Sequence, residues 1–343
     1  MSQMMLSFFF NNNTVRTITF MWQMTGNKSY KIQILRGLAI LAVVLIHNTP
    51  IGIAQVWCRP FINFSVGMFL FLSGLLSSME KWNLKKRILK ITIPYIIWTL
   101  IYVILGNIKT PENIPWLYFK NLITADSAAV MYFVFVYCEV TFLIPVIDKV
   151  ARSRYRWVGF VLSPLEIIIM RMIPVITGLE VNRYISLVMH ISCLGWLIYY
   201  YFGYLLGNGY LKVTVSFSTI FWMWIVAIAL QIAEGYWYYS MGELNCGTQL
   251  KLSAVLAGLL FVMLGYRYLE VDNVPMPKVL HLLGDYSFGI FFSHLAIMRV
   301  LGHFSSYKQV GYPLNAIIVI ALSLLVVMAG RKILGKYAKY LAF

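Results

Sequence analysis

Four ionisable side chains stand inside stretches that are otherwise apolar, and their spacing gives the first indication of chemistry. Arg36 and His47 are eleven residues apart, which on an α-helix is roughly 16 Å of rise and a return almost to the starting azimuth. The two therefore share one helix face, three turns apart. Glu139 lies nine residues before Asp148, Glu166 ten after Arg156, and His294 nine after Asp285, so each falls about 13–15 Å from the charged end of its own segment. Two imidazoles and two carboxylates at one depth point to a shared interior cavity. An ionisable group at the centre of a bilayer span costs about 2.5–3.5 kcal/mol on insertion scales and tends to mark function. The competing role is structural, because a buried His or Glu can tie two helices by a hydrogen bond worth about 0.6–2 kcal/mol. As chemistry, an imidazole here can act as general base or nucleophile, with Glu139 or Glu166 orienting the ring.

The elements that position these groups belong in lipid. Of the 343 residues, 60% are hydrophobic and 12% charged, against about 45–50% and about 25% in a soluble domain. The mean hydropathy is +0.76. This composition excludes a soluble protein, and with it nucleic-acid binding as the meaning of the +16 net charge. From Lys31 onward the chain is a series of apolar runs, about ten in number, each near the length that crosses a hydrocarbon core of roughly 30 Å. They fall near 33–53, 60–79, 91–108, 129–147, 157–176, 187–207, 213–233, 252–266, 286–302 and 314–330. The expected fold is therefore all-α: a polytopic integral membrane helix bundle of about ten transmembrane helices. Residues 1–30 are expected to be a cytosolic lead, disordered or the product of an over-long start, residues 31–335 the transmembrane domain, and 336–343 a cytosolic tail.

Basic residues crowd one set of alternating loops, as in Lys81, Lys85, Lys86, Arg87 and Lys90, and again in Arg152, Arg154 and Arg156. By the positive-inside rule that set is cytosolic, which places both termini in the cytosol. A cytosolic cluster of Lys86, Arg87 and Lys90 is also a dock for a polyanion, with Arg87 and Lys90 at i, i+3 on one side of a helix. Plain topology-determining charge is the alternative. Ser73, beside Gly74, offers a hydroxyl near the interior, although small residues in a span more often serve helix packing. His190 and His303 fall near the outer face and His281 near the inner one, where solvation is the default. The four cysteines, Cys58, Cys138, Cys193 and Cys246, show no CxxC spacing, so neither a zinc site nor a disulfide framework is expected, and no metal-ligand pattern is present.

At the level of motifs the chain resembles the acyltransferase-3 family of integral membrane acyltransferases. Leu35-Arg36-Gly37-Leu38 through His47 is similar to the family's R-x10-H signature on its first helix. Phe64 through Ser73-Gly74 is similar to its second-helix run closing in Ser-Gly. Lys86-Arg87 to Lys90, followed by Pro94-Tyr95, is similar to its Arg-x-x-Arg and Pro-Tyr element, with Lys90 in place of the second arginine. Tyr132-Phe133 to Pro145, and Leu283-Gly284-Asp285-Tyr286-Ser287 to His294, resemble its fourth and late helices. The resemblance covers roughly residues 30–335.

It implies an enzyme of the polysaccharide O-acetyltransferase type. Acetyl would pass from cytosolic acetyl-CoA, a co-substrate rather than a bound cofactor, to a hydroxyl of a cell-surface or polyprenyl-linked glycan. His47 would serve as general base or transient acyl acceptor, with Glu139, Glu166 and His294 as further catalytic candidates. Arg36, Lys86, Arg87 and Lys90 would hold the acyl donor, and Ser73 and Asp285 are additional candidates. The expected partners are acyl-CoA, the saccharide acceptor and membrane lipids, with no nucleic acid, and the expected location is a bacterial cytoplasmic membrane. Two readings compete: a transporter of a lipid-linked glycan or small polar solute, and a relative of the family that has lost the chemistry.

Overall fold

A computed structural model describes residues 12–179, 182–272 and 274–343. Among them the secondary structure is helical throughout. Helix α1 runs Asn12–Asn48, so from Asn12 the expected lead is continuous with the first apolar helix, while residues 1–11 lie outside the described residues. There follow α2 (Ile53–Cys58), α3 (Ser65–Leu75), α4 (Leu84–Gly106), α5 (Ile114–Thr124) and α6 (Tyr132–Arg152). Next come α7 (Val158–Ile167), a π-helical turn at Ile168–Met172, α8 (Ile173–Thr177), α9 (Arg183–Ile191), α10 (Leu197–Gly207), α11 (Phe217–Ser240) and α12 (Leu252–Glu270). The chain ends with α13 (Lys278–Asp285), α14 (Ser287–Leu301), α15 (Ser305–Lys308) and α16 (Leu314–Leu334).

Seven helical segments among the described residues are long and apolar enough to cross a membrane: Asn27–Asn48, Ile53–Leu75, Leu84–Gly106, Val158–Thr177, Phe217–Ser240, Leu252–Glu270 and Leu314–Leu341. The remaining three apolar runs differ for visible reasons. Helix α6 carries Glu139, Asp148 and Lys149 within its length. The run near 187–207 is broken at Ser192–Trp196 into α9, a short 3-10 turn and α10. The run near 286–302 is the 15-residue α14, preceded by the separate helix α13.

Glycines decide how closely these helices approach. A Cβ on Gly74 would overlap the carbonyl oxygen of Tyr200, and one on Gly203 the carbonyl of Phe71, so α3 and α10 meet backbone to backbone. Helices α1 and α13 do the same through Gly37, against Leu280, and Gly284, against Gln33. Because lipid gives helices no hydrophobic drive to associate, close backbone contact through small residues supplies dispersion contact instead. The pairing of Gly37 with residue 280 and Gly284 with residue 33 also sets α13 antiparallel to α1. The chain then reverses at Tyr286, and α14 runs back along α1 and carries His294 up to His47.

Candidate functional site

His47 sits in the last turn of α1, where the helix leaves its final carbonyls exposed. Arg59 Nη2 donates to the Ile46 carbonyl (3.2 Å), and the Asn48 amide and Thr49 hydroxyl fold back on Val44 and Leu45. A cation and two side-chain donors thus close the C-terminus of α1, as unsatisfied carbonyls there demand. His294 comes from α14 and is fully buried. The two imidazole rings lie 5.4 Å apart, centre to centre, and are tilted by 44°.

His294 Nδ1 is 2.9 Å from the Ile290 carbonyl. A carbonyl only accepts, so Nδ1 carries the hydrogen and the neutral ring presents its lone pair at Nε2. That Nε2 is buried and has no hydrogen-bond partner among the described residues. The α14 turn bearing His294 is pinned by Tyr102, whose hydroxyl donates to the Phe292 carbonyl (2.7 Å) and accepts from the Ala296 N–H (3.1 Å).

A cavity of about 60 Å³ opens beside His47, with Ser65 and Gln249 on its polar wall and Tyr132, Phe133 and Phe291 among its aromatic lining. Gln249 Nε2 donates to Ser65 Oγ at 2.7 Å. Gln249 reaches the cavity because its segment is drawn into the bundle. Cys246 is buried with its thiol on the Gly52 carbonyl (3.3 Å), the Gly247 N–H donates to Gln55 Oε1 (3.2 Å), and Asn63 donates to the Gly247 carbonyl (3.2 Å). The buried Lys251 ammonium closes the segment on the carbonyls of Cys246 (2.9 Å) and Gln231 (3.3 Å).

The four ionisable groups expected at one depth resolve into two pairs. His47, which lines the cavity, meets His294, which is packed behind it and does not line the cavity. Glu139 and Glu166 come instead to the break between α9 and α10, and neither lines the cavity. Glu139 Oε2 accepts the Cys193 N–H at 2.7 Å. Glu166 lies against Gly195, where a Cβ would come 2.9 Å from its Oε2. Equal distance along separate segments fixes neither the level at which each segment begins nor the neighbour its side chain faces, so it does not bring the four groups together. His47 in particular closes α1, roughly 30 Å of helix from Asn27.

Arg36 is half-buried where α1 crosses α13 and has Asp285 as its nearby carboxylate. Asp285 itself pairs with His281 Nδ1 at 3.2 Å, and the His281 ring stacks on Tyr30. The basic cluster lies at the far end of α3 from the cavity. Arg87 donates to Ser77 Oγ (2.8 Å) and lies 3.5 Å from the Tyr200 hydroxyl, while Lys86 and Lys90 are exposed. Ser65 opens α3 and Ser77 lies just past its end at Leu75, so the roughly 15 Å rise of α3 separates them. Ser73 is half-buried below the cavity, its carbonyl accepting from the Ser77 hydroxyl at 2.6 Å. All four cysteines are free thiols, His303 is exposed, and the His190 side chain lies outside the described residues.

Sequence reasoning missed Ser65, Gln249 and Tyr132. Ser65 opens the glycine-rich α3 and so carried a positional signal. Gln249, in a connecting segment, carried none. A family model described as an acyltransferase domain matches residues 29–331. No curated protein and no solved structure matches the chain.

Proposed function

Because the chain belongs to the acyltransferase-3 family, which makes it a multi-pass membrane protein of acyl-transfer type, we propose that it is an O-acetyltransferase. It takes acetyl from cytosolic acetyl-CoA and delivers it to a hydroxyl of a lipid-linked or cell-surface glycan, from a bacterial cytoplasmic membrane with both termini in the cytosol. The observation that carries this reading is the histidine pair, with His47 facing a cavity that Ser65 and Gln249 also line, set roughly 15 Å along α3 from the end that meets the basic cluster. That separation is within the span of an extended pantetheine arm. The nucleotide phosphates would rest on Lys86, Lys90 and Arg87, with Arg36 along the path, and the thioester would arrive at His47.

In this scheme His47 is the general base. Its free nitrogen takes the proton of the acceptor hydroxyl as the oxygen attacks the thioester carbonyl. The C–O bond forms, the C–S bond breaks, and the proton passes to the departing thiolate. His294 supports the step. Its Nε2 lone pair, unpartnered in the resting structure, would accept an N–H of His47 once the two rings close from their 5.4 Å separation, and such a bond would fix which His47 nitrogen faces the cavity, the office a carboxylate performs for other catalytic histidines. Gln249 and Ser65 supply donors beside the same space, suited to the oxygen that becomes negative in the tetrahedral intermediate. An acyl-imidazole on His47 is the competing route, and acid quenching followed by peptide mapping distinguishes the two.

The test is CoA release and acetyl transfer by the purified protein in sealed proteoliposomes. Turnover with acetyl-CoA supplied on the face bearing Lys86 is the expected result. Solute flux without CoA release identifies a transporter, and the absence of both identifies a relative without the chemistry.

A further inference from the structure

Beyond Tyr132, outside the lining of the cavity, lies a group of polar atoms that the acyl-transfer scheme does not use. Among the described residues, Glu166 Oε2, Arg171 Nε and the Tyr238 hydroxyl are all buried and all without a hydrogen-bond partner. They are neighbours: Arg171 follows Glu166 by about one turn into the π-helical segment, Val175 one turn further on packs against the cluster that holds Tyr238, and Arg171 lies within electrostatic reach of Glu166, Tyr238 and Tyr132. Each comes from a different place in the chain. Arg171 is carried by the π-helical turn Ile168–Met172, Glu166 by the end of α7, and Tyr238 by the last turns of α11, where it packs with Val56, Cys246 and Val175. Tyr132 connects this group to the cavity, which it lines, while its ring stacks 6.1 Å from that of Trp196.

Buried polar atoms are nearly always paired, and each unpaired one costs about 1–3 kcal/mol, more when charged. Three such atoms in one place, two of them on ionisable side chains, mark a position prepared for a polar occupant. The set has a definite chemistry. Glu166 offers an acceptor, Arg171 and Tyr238 offer donors, and opposite charges on Glu166 and Arg171 leave the group without a preference for an ion. A single-turn π-bulge is itself a rare feature concentrated at functional sites. Its effect here is to turn Arg171 inward from a helix whose flanking residues Ile169 and Ile173 are exposed.

We propose that Glu166, Arg171 and Tyr238 form the acceptor subsite, binding the hydroxyls of a saccharide ring while Tyr132 leads the reacting hydroxyl to His47. A vicinal diol matches the set, one hydroxyl donating to Glu166 while its oxygen, or its neighbour's, accepts from Arg171 and Tyr238. This rests on the reading of the chain as an acyltransferase with a hydroxylated acceptor, and it assigns Glu166 to substrate positioning.

The probe is octyl β-glucoside, a saccharide head on a single alkyl chain, titrated below its micellar concentration into the protein in lipid nanodiscs. Octanol, with the same chain and no ring, is the control, and tryptophan fluorescence reports binding. Wild type is expected to bind the glucoside in preference to octanol. Glu166→Gln and Arg171→Lys should each weaken glucoside binding roughly tenfold or more, and Tyr238→Phe a few-fold, with octanol binding unmoved. Should the two charged-site variants fail to fold, Tyr238→Phe, which removes one oxygen and no packing volume, carries the test alone. His47→Ala separates this proposal from the catalytic reading, because it should abolish CoA release while keeping the preference for glucoside over octanol. Equal affinity for glucoside and octanol, or glucoside affinity unchanged in folded subsite variants, overturns the subsite. Loss of CoA release in wild type, with glucoside binding intact, overturns the enzyme reading alone.

Discussion

Replacing each member of the histidine pair by alanine should separate chemistry from architecture. The His47 ring already faces an open space of about 60 Å³. Were an equal volume added by the truncation and left dry, the cost at about 24 cal/mol per Å³ would be roughly 1.4 kcal/mol. Ser65 and Gln249 place polar groups in an otherwise largely apolar lining, partners for a water that occupies the space, and the expected loss of stability in His47→Ala falls below about 1 kcal/mol. Its loss of activity should be large, about 10²–10⁴ in kcat, the usual contribution of a positioned general base. His294 is different. It is fully buried, among Phe291, Phe292 and Ile290, with no neighbouring space to fill, so His294→Ala should cost about 2–4 kcal/mol, as other large-to-small interior changes do. Its effect on kcat should be smaller, because it orients rather than reacts. The assays are CoA release in nanodiscs and thermal unfolding followed by tryptophan fluorescence. Free imidazole at millimolar concentration should restore part of the turnover of His47→Ala, whose cavity then accepts the ring, and none of that of His294→Ala. Wild-type turnover in His47→Ala, or a His294→Ala protein as stable and active as wild type, would refute the reasoning.

Three further outcomes follow from packing and charge. Gly284→Ala should separate α1 from α13 and lower stability by about 1–3 kcal/mol, because the new Cβ meets the Gln33 backbone, whereas Gly311→Ala, with open space around it, should be neutral in the same unfolding assay. Lys86→Gln and Lys90→Gln, both at exposed positions, should raise the KM for acetyl-CoA with little change in kcat or stability, while Arg87→Gln should also lower the unfolding temperature because it releases Ser77. Lys251→Met should destabilise by about 1–3 kcal/mol, read in the same unfolding assay, by leaving the carbonyls of Cys246 and Gln231 without their buried donor.

Composition alone placed this chain in lipid, and apolar runs located nearly every long helix, because a spanning helix must be apolar over most of its length and little else in a sequence is. Counting rise from Arg36 also placed Arg36 and His47 on one face correctly, since both lie in a single unbroken helix. The same arithmetic failed between helices. It set Glu139 and Glu166 beside the histidines, although both belong to the break at Cys193–Gly195, because periodicity measures position within a segment and carries no information on where that segment starts. The partners of His47 depend on crossings that glycines permit. His294 reaches it because Gly37 and Gly284 let α13 lie flat on α1 before the chain turns at Tyr286. Gln249 reaches it because Gln55, Asn63 and Lys251 draw a connecting segment inward, and that hydrogen bonding has no sequence period. The orphaned atoms of Glu166, Arg171 and Tyr238 were illegible for the same reason. Arg171 reads as one more charge near the outer end of a span, and only the inward turn of the π-helical segment makes it part of an interior.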